Sequence, residues 1–495
     1  MLKQTLKISF RSKRLLFQLV VGCVFGLAIG VSIKWISPLL LLGFLAAALL
    51  IFAVLKRPEI ALLGILVATS SIVFEDQLPM FSAGGVSLHI TDFLLIGMLG
   101  IIVVRWLVEP GFKILRTPLD WPIVIFIGVT LLSTFIALSQ KSVDPVGARR
   151  WIRVLSYYLT FFIVTNLVRD RRQLNLLLNG IFIMATIVAV AMVAQFLLGD
   201  SIRILPGRVE TLSTQGTIFA DITRIAPPGF SILLVSFVII LCIFVMEKIK
   251  PLGWLKFFQL GILGLALLVT FLRSYWAVLI LVLVLLGYLL RGMERQKLIG
   301  WGLLVLSLAT IIMLFVFHNP GSQTTELVDA SLDRLSTLGD SGTFQGQDSS
   351  LNWRMIENGY ALSSIADNPY IGSGMGFTYR PWDSRLDVPG NTYDFRKHIH
   401  NGYFWLLLQS GLLGLLPFIW LSLLSLIRGF KYWRIIPNNR FRGVVLGITL
   451  VYLAVMIAAI TNSTFMQASW TPVIGIMLGI NEIILAKFRH VVPVA

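Results

Sequence analysis

Long apolar runs separated by short polar turns dominate the chain. A membrane-crossing helix needs about 20 mostly apolar residues, and by that measure the pattern predicts roughly fourteen of them. They lie near 15–33, 36–55, 60–75, 92–109, 119–139, 152–168, 174–198, 228–246, 255–272, 275–290, 298–317, 402–427, 443–461 and 470–486. Lys3 to Arg14 form a basic flank before the first run. A second run follows closely, with no small-residue cleavage site, so the first reads as an anchor rather than a removed signal. The pattern is interrupted at length only between 318 and 401. The expected architecture is therefore an all-α polytopic membrane protein of about 12–14 transmembrane helices. Helices fill 1–317, one long outer loop containing short helices covers 318–401, and the last helices occupy 402–495.

Composition agrees. Of 495 residues, 57% are hydrophobic and 13% charged, about half the charge of an ordinary soluble domain. That excludes a soluble enzyme, a disordered chain and a nucleic-acid binder. The net charge of +17 then needs another origin. With the spans alternating from a cytoplasmic N-terminus, 25 basic and 7 acidic residues fall inside, against 15 basic and 17 acidic outside, and Arg105 lies within a span near its inner end. The positive-inside rule thus accounts for the excess and puts both termini in the cytoplasm. The two cysteines, Cys23 and Cys242, lie in apolar runs and give no disulfide framework.

The membrane interior carries almost no ionisable side chains, and no paired broken helices are evident, which argues against an ion-coupled transporter. Chemistry is expected on the outer side. Twelve of the fifteen outer basic residues are arginines, the better fork for phosphate oxygens; the competing reading pairs them with outer carboxylates or lipid headgroups. In the long loop, 320–350 is Ser-, Thr-, Gly- and Asp-rich and reads as mobile. Residues 351–366 read as an amphipathic helix with Trp353, Ile356 and Tyr360 on one face and Arg354, Glu357 and Asn358 elsewhere. Asn368-Pro369 stops it, and Gly372, Gly374 and Gly376 follow, as a tight turn or an anion-binding nest.

The loop closes with KHIHNGYFWLLLQSGLLG. His89, His318, His398 and His400 are all placed outside. His400, beside Asn401 at the mouth of a helix, suits a general base, or else an interfacial residue bonding a helix end. His398 and His400 are spaced poorly for zinc, with no third evident ligand. Arg224 precedes Pro227-Pro228-Gly229, and Arg273 occupies the tightest outer turn, as an anion contact or a snorkelling residue.

In order and placement these pieces resemble the O-antigen ligase and O-antigen polymerase superfamily of integral membrane glycosyltransferases. The resemblance runs from about Thr223 to Gly414. It rests on Arg224, the turn Leu272-Arg273-Ser274, the Pro-x-x-Gly-x-Gly run Pro369 to Gly374, the pair His400-Asn401, and Gly411-Leu412-Leu413-Gly414. Leu272 and Ser274 replace the usual Ser and Gly, and Gln409-Ser410 stands where the family often has a glutamate.

The resemblance implies transfer of a glycan from undecaprenyl diphosphate on the outer face of the inner membrane. The acceptor is a hydroxyl of lipid A-core in ligases, or of a second lipid-linked glycan in polymerases. It implies His400 as base and Arg224, Arg273 and Arg354 as diphosphate contacts, with Asn401, Gly374 and His398 as further site candidates. Arg380, Arg385 and Arg396 are lesser candidates, as is the acidic pair Glu75-Asp76. No cofactor or metal is implied, and no outer Asp-x-Asp motif occurs. Two alternatives stand beside it: a flippase or exporter of a lipid-linked glycan without bond-forming chemistry, and a peptidoglycan-polymerising relative of the cell-shape family.

Overall fold

In the computed structural model, residues 56–317 and 349–488 are described, apart from short stretches at 74–76, 78–79, 84–85, 200–201, 203, 206–207, 215–216, 248–252 and 388–393. The expected runs 15–33 and 36–55, His318, the acidic pair Glu75-Asp76 and most of the expected mobile segment lie outside the described residues. The helices in chain order are α1 (Pro58–Thr69), α2 (Ile90–Val108), α3 (Asp120–Ser139), α4 (Pro145–Ser156), α5 (Thr160–Leu167), α6 (Arg171–Leu198) and α7 (Phe230–Met246). They continue with α8 (Gly253–Leu268), α9 (Arg273–Leu289), α10 (Gly292–Phe317), α11 (Ser349–Asp367), α12 (Gly402–Tyr432), α13 (Asn439–Ala458) and α14 (Thr471–Lys487).

The protein is an all-α polytopic membrane protein. Among the described residues, Ile90–Val108, Asp120–Ser139, Arg171–Leu198, Gly402–Ile435 and Asn439–Ala458 are each long and apolar enough to cross a membrane. Shorter apolar helices stand beside them. Phe135, Ile187, Leu197 and Leu306 turn large apolar side chains outward, as a lipid-facing surface requires.

Two antiparallel hairpins interrupt the helices, and the hydropathy pattern did not announce them. Strands β1 (Met80–Ala83) and β2 (Val86–His89) pair Met80 with His89. Strands β3 (Val209–Thr214) and β4 (Thr217–Ile225) pair Val209 with Ile225, with a register shift at Thr211/Leu212. The single span expected at 152–168 is instead two helices joined by a 3-10 turn at Tyr157–Leu159. Its first part, α4, starts earlier, where Asp144 caps the helix by accepting from the Gly147 amide and Pro145 fills the first turn. With Arg149, Arg150 and Arg153, α4 is amphipathic rather than apolar, so it does not extend the span.

Two glycine pairs set the closest helix packing. A Cβ on Gly443 or Gly447 of α13 would lie 2.8 or 2.7 Å from the Cα of Ile243 or Ile239 on α7. On α14, Gly475 and Gly479 meet the backbone of Tyr158 and Phe161 at 3.0 and 3.2 Å by the same measure. Small residues four apart let backbones approach where lipid offers no hydrophobic drive to pair helices.

Charged side chains gather at one end of this bundle. Arg428 grips Glu482 through two 3.0 Å bonds, Arg442 bonds Glu294 at 2.6 Å, and Arg434 donates to the Leu289 carbonyl at 2.7 Å. These are residues that the charge pattern assigned to the inner side. The opposite end carries the hairpins and loops. There Gly229 N–H donates to Ser70 O at 2.8 Å, Ile225 N–H to Val269 O at 3.5 Å, and Gly402 N–H to Ala459 O at 2.8 Å.

Candidate functional site

At the loop end, α12 is broken. Gly411 has φ 60° and ψ −167°, a conformation essentially restricted to glycine. A broken helix exposes carbonyls on one side of the break and amides on the other, and each is costly if left unpaired in an apolar setting. The glycine-rich loop after α11 satisfies both sets. Ser373 N–H donates to Leu408 O at 2.7 Å and Gly374 N–H to Gln409 O at 3.2 Å. In return, Leu412 and Leu413 N–H donate to the carbonyls of Pro369 and Tyr370 at 2.9 and 3.0 Å. Ser133 Oγ adds a bond to Gln409 O at 2.8 Å.

This stitch explains the glycines. Gly372, Gly374 and Gly376 have φ of 79°, 80° and 87°. A Cβ on Gly372 would sit 2.6 Å from the Ser410 and Gly411 amide nitrogens, and one on Gly374 2.5 Å from Ala137 Cβ. The amides of residues 372–375 all donate within the protein, the last to Thr134 Oγ1 at 3.2 Å. Of the two readings of the run, the turn is the one observed: the Ser373 and Gly374 amides close the break in α12, and those of Gly372 and Met375 donate to Asn368 O and Thr134 Oγ1.

The stitch also holds two segments against each other, because α11 leads into it and the first half of α12 leads out of His400-Asn401. Asn401 caps α12, its Oδ1 accepting from the Tyr403 and Phe404 amides at 3.0 and 3.2 Å. Immediately before the cap, the His400 amide donates to Glu357 Oε2 at 2.9 Å, and His400 Nδ1 lies 3.2 Å from both Glu357 oxygens. The Glu357 side chain is only 1% exposed, while that of His400 is 27% exposed. A carboxylate buried to that degree requires a polar partner. Paired with an imidazole it accepts from Nδ1–H, which leaves the Nε2 lone pair for other work. Trp353, one turn before Glu357, stands edge-on to the His400 ring at 4.6 Å.

The orientation of α11 therefore differs from the expected one. Its buried face carries Glu357, Ala361, Ser364 and Ile365, whereas Ile356 and Tyr360 are only half-buried. Apolar periodicity is weak in this segment, and a carboxylate counts as a solvent residue until its imidazole partner is known. Glu357 is the residue that the sequence reading passed over. A glutamate on a helix next to a loop ending in histidine was the available signal.

His398 is no second base. It is half-buried, with Nε2 3.1 Å from Ser463 Oγ and its ring 4.5 Å from that of Trp405. Burial, and secondarily the neighbouring His400, hold its pKa down to about 3, so it is neutral at ordinary pH.

The arginines divide into groups. Arg380 makes a bidentate pair with Asp387 at 2.6 and 2.8 Å; Arg385 pairs with Asp383 at 2.7 Å and Arg396 with Asp394 at 2.9 Å. For these three, pairing with local carboxylates is what the structure contains. Arg354 lies half-buried on α11, one turn before Glu357. Arg224 occupies β4 opposite Glu210, and Arg273 opens α9. The bond from Ile225 to Val269 ties the end of β4 to the turn between α8 and α9, just before Arg273. The stretch between α13 and α14 links that junction to the histidines. Ser463 contacts His398 at its start, Ser469 O accepts from Ser231 Oγ at 2.5 Å, and Trp470 stacks edge-on against Phe230. Among the described residues, no group of three or more His, Cys, Asp or Glu side chains is arranged to hold a metal ion.

Residues 258–419 match the family model described as O-antigen ligase. The matched stretch contains Arg273, Arg354, Glu357, the glycine run, His400-Asn401 and the break at Gly411, and leaves Arg224 outside. No curated protein matches the chain.

Proposed function

From a chain whose residues 258–419 match the O-antigen ligase family model, we propose a metal-independent glycosyltransferase that moves a glycan from undecaprenyl diphosphate to an acceptor hydroxyl. The acceptor belongs to lipid A-core or to a second lipid-linked glycan. The reaction takes place at the loop end of the bundle, on the outer face of the inner membrane, with both termini in the cytoplasm. The observation that carries the reading is the buried Glu357 carboxylate fixing Nδ1 and the backbone amide of a half-exposed His400.

In the proposed step, Nε2 of His400 takes the proton from the acceptor hydroxyl. The freed oxygen forms a bond to the anomeric carbon while the bond from that carbon to the diphosphate breaks, and its electron pair passes to the departing diphosphate. Attack opposite the leaving group inverts the anomeric centre. Arg224, Arg273 and Arg354 stabilise the charge gathering on the departing diphosphate, each preorganised contact contributing on the order of 3 kcal/mol. Asn401 holds the helix start that presents His400, and Gly374 the break behind it, both as positioning residues. Glu357 is likewise a positioning residue, setting the tautomer and orientation of the base.

The test supplies a purified lipid-diphosphate glycan and a hydroxyl acceptor to the membrane-reconstituted protein. Bond formation that persists in EDTA and is lost in His400→Ala is expected. Transbilayer movement of the donor with no new glycosidic bond would overturn the proposal in favour of a flippase. A single transfer identifies a ligase, and a ladder of repeats a polymerase.

A further inference from the structure

A second polar recess lies at the loop end, on the far side of α4 from His400. Trp151 of α4 stands edge-on to Trp405 at 4.5 Å, on the histidine side. Arg153 comes two residues later, about 200° around a helix, and lines a cavity of about 70 Å³. One water needs only about 10–15 Å³ by such a measure. Thr69, Ser71, His89, Thr91 and Tyr157 supply the rest of its polar wall. Thr91 Oγ1 and Tyr157 OH share a 2.9 Å hydrogen bond. A second guanidinium, that of the buried Arg208, donates to the Ser71 carbonyl at the rim. We infer that this recess is a binding site for a phosphate oxyanion, separate from the proposed transfer centre.

The chemistry of the wall selects the ligand. A guanidinium offers forked donors that match tetrahedral oxyanions. Thr69 Oγ1 donates to the Ile65 carbonyl, so the Ser71 hydroxyl, the remaining hydroxyl proton of the Thr91–Tyr157 pair and the His89 imidazole complete such a shell without a carboxylate among the lining residues. The size suits one phosphate group rather than a sugar. The ligand is free phosphate or the phosphate head of a polyprenyl lipid lying along the amphipathic α4, and the two share this recognition. The inference does not depend on the transfer reaction.

Binding is measured by phosphorus NMR line broadening and by thermal unfolding of the full chain. Inorganic phosphate is titrated in detergent, and polyprenyl monophosphate in phosphatidylcholine nanodiscs is compared with phosphatidylcholine alone. Saturable binding of either probe is expected; a soluble response assigns the free ion, and a response confined to the lipid assigns the headgroup. Arg153→Gln should weaken it at least about tenfold and Tyr157→Phe about threefold, through lost hydrogen bonds. Arg149→Gln, exposed on the same helix, and His400→Ala should leave it unchanged. If Arg153→Gln does not fold, Tyr157→Phe decides. No saturable response to either probe, or equal weakening in Arg149→Gln, overturns the inference, whatever the outcome for transfer activity.

Discussion

Replacing Glu357 by glutamine changes one atom and a charge in the most enclosed part of the candidate site. The carboxylate accepts from the His400 amide at 2.9 Å and lies 3.2 Å from Nδ1, with the Tyr379 hydroxyl also beside it. Glutamine keeps one oxygen and presents an NH₂ group where the other stood. If the oxygen stays on the backbone amide, the NH₂ meets Nδ1–H, and the ring must turn or move its proton to Nε2. A lost hydrogen bond to a charged group is worth about 1.5–3 kcal/mol, or roughly 10- to 100-fold in rate. Holding the imidazole in the wrong tautomer extends the loss to about 10⁴-fold in a comparable catalytic arrangement. The expected result for Glu357→Gln is therefore a kcat about 10²–10⁴ lower, with KM changed less than about threefold and a thermal midpoint close to the parent's. Glycan transfer from a lipid-diphosphate donor under saturating acceptor separates the two constants. An unaltered kcat in a folded variant would refute the positioning role, and a loss confined to KM would make Glu357 a substrate contact instead.

Three further outcomes follow from the same geometry. Gly411→Ala drives a Cβ into the Tyr370 carbonyl at a φ of 60°, so thermal stability in detergent should fall by about 3 kcal/mol and transfer with it; Gly100→Ala, with open space around it, is the control expected to change neither. His398 has a folded pKa of about 3 against an ordinary 6.5, so the folded state binds fewer protons than the unfolded one. Its contribution is complete above pH 6.5 and declines as pH falls toward 3, by about 2 kcal/mol between 6.5 and 5; denaturant midpoints across that range should show the slope, and His398→Asn should flatten it. Arg380→Gln leaves Asp387 without its bidentate partner in a buried position, which should cost about 3–5 kcal/mol of loop stability, read as early proteolysis between 379 and 401 with α12 intact.

The two halves of the site were not equally readable. His400-Asn401 and Gly411 to Gly414 are legible because each is a local requirement: a cap needs its side chain next to the helix start, and a break needs glycine at the break. Glu357 belongs to another kind. It lies 43 residues from His400, and a carboxylate inside a polar loop carries no mark of burial until its partner is known. The arginines show the same limit, since Arg380 and Arg354 are alike as letters, but the first is spoken for by Asp387.

Taken alone, the order of residues determined that this is a helical membrane protein, roughly where its helices run, which end gathers the positive charge, and which family it resembles. Those properties depend on hydropathy and charge summed along contiguous segments, and such sums survive without knowledge of neighbours. Tertiary structure decided what depends on long-range contact. It made 152–168 two helices joined by a 3-10 turn, gave the glycine run to the repair of α12 rather than to an anion, and set a buried glutamate behind an imidazole. An unpaired polar group in an apolar medium is costly enough that the fold must bring its partner from wherever it lies in the chain, and that search leaves no periodicity to read.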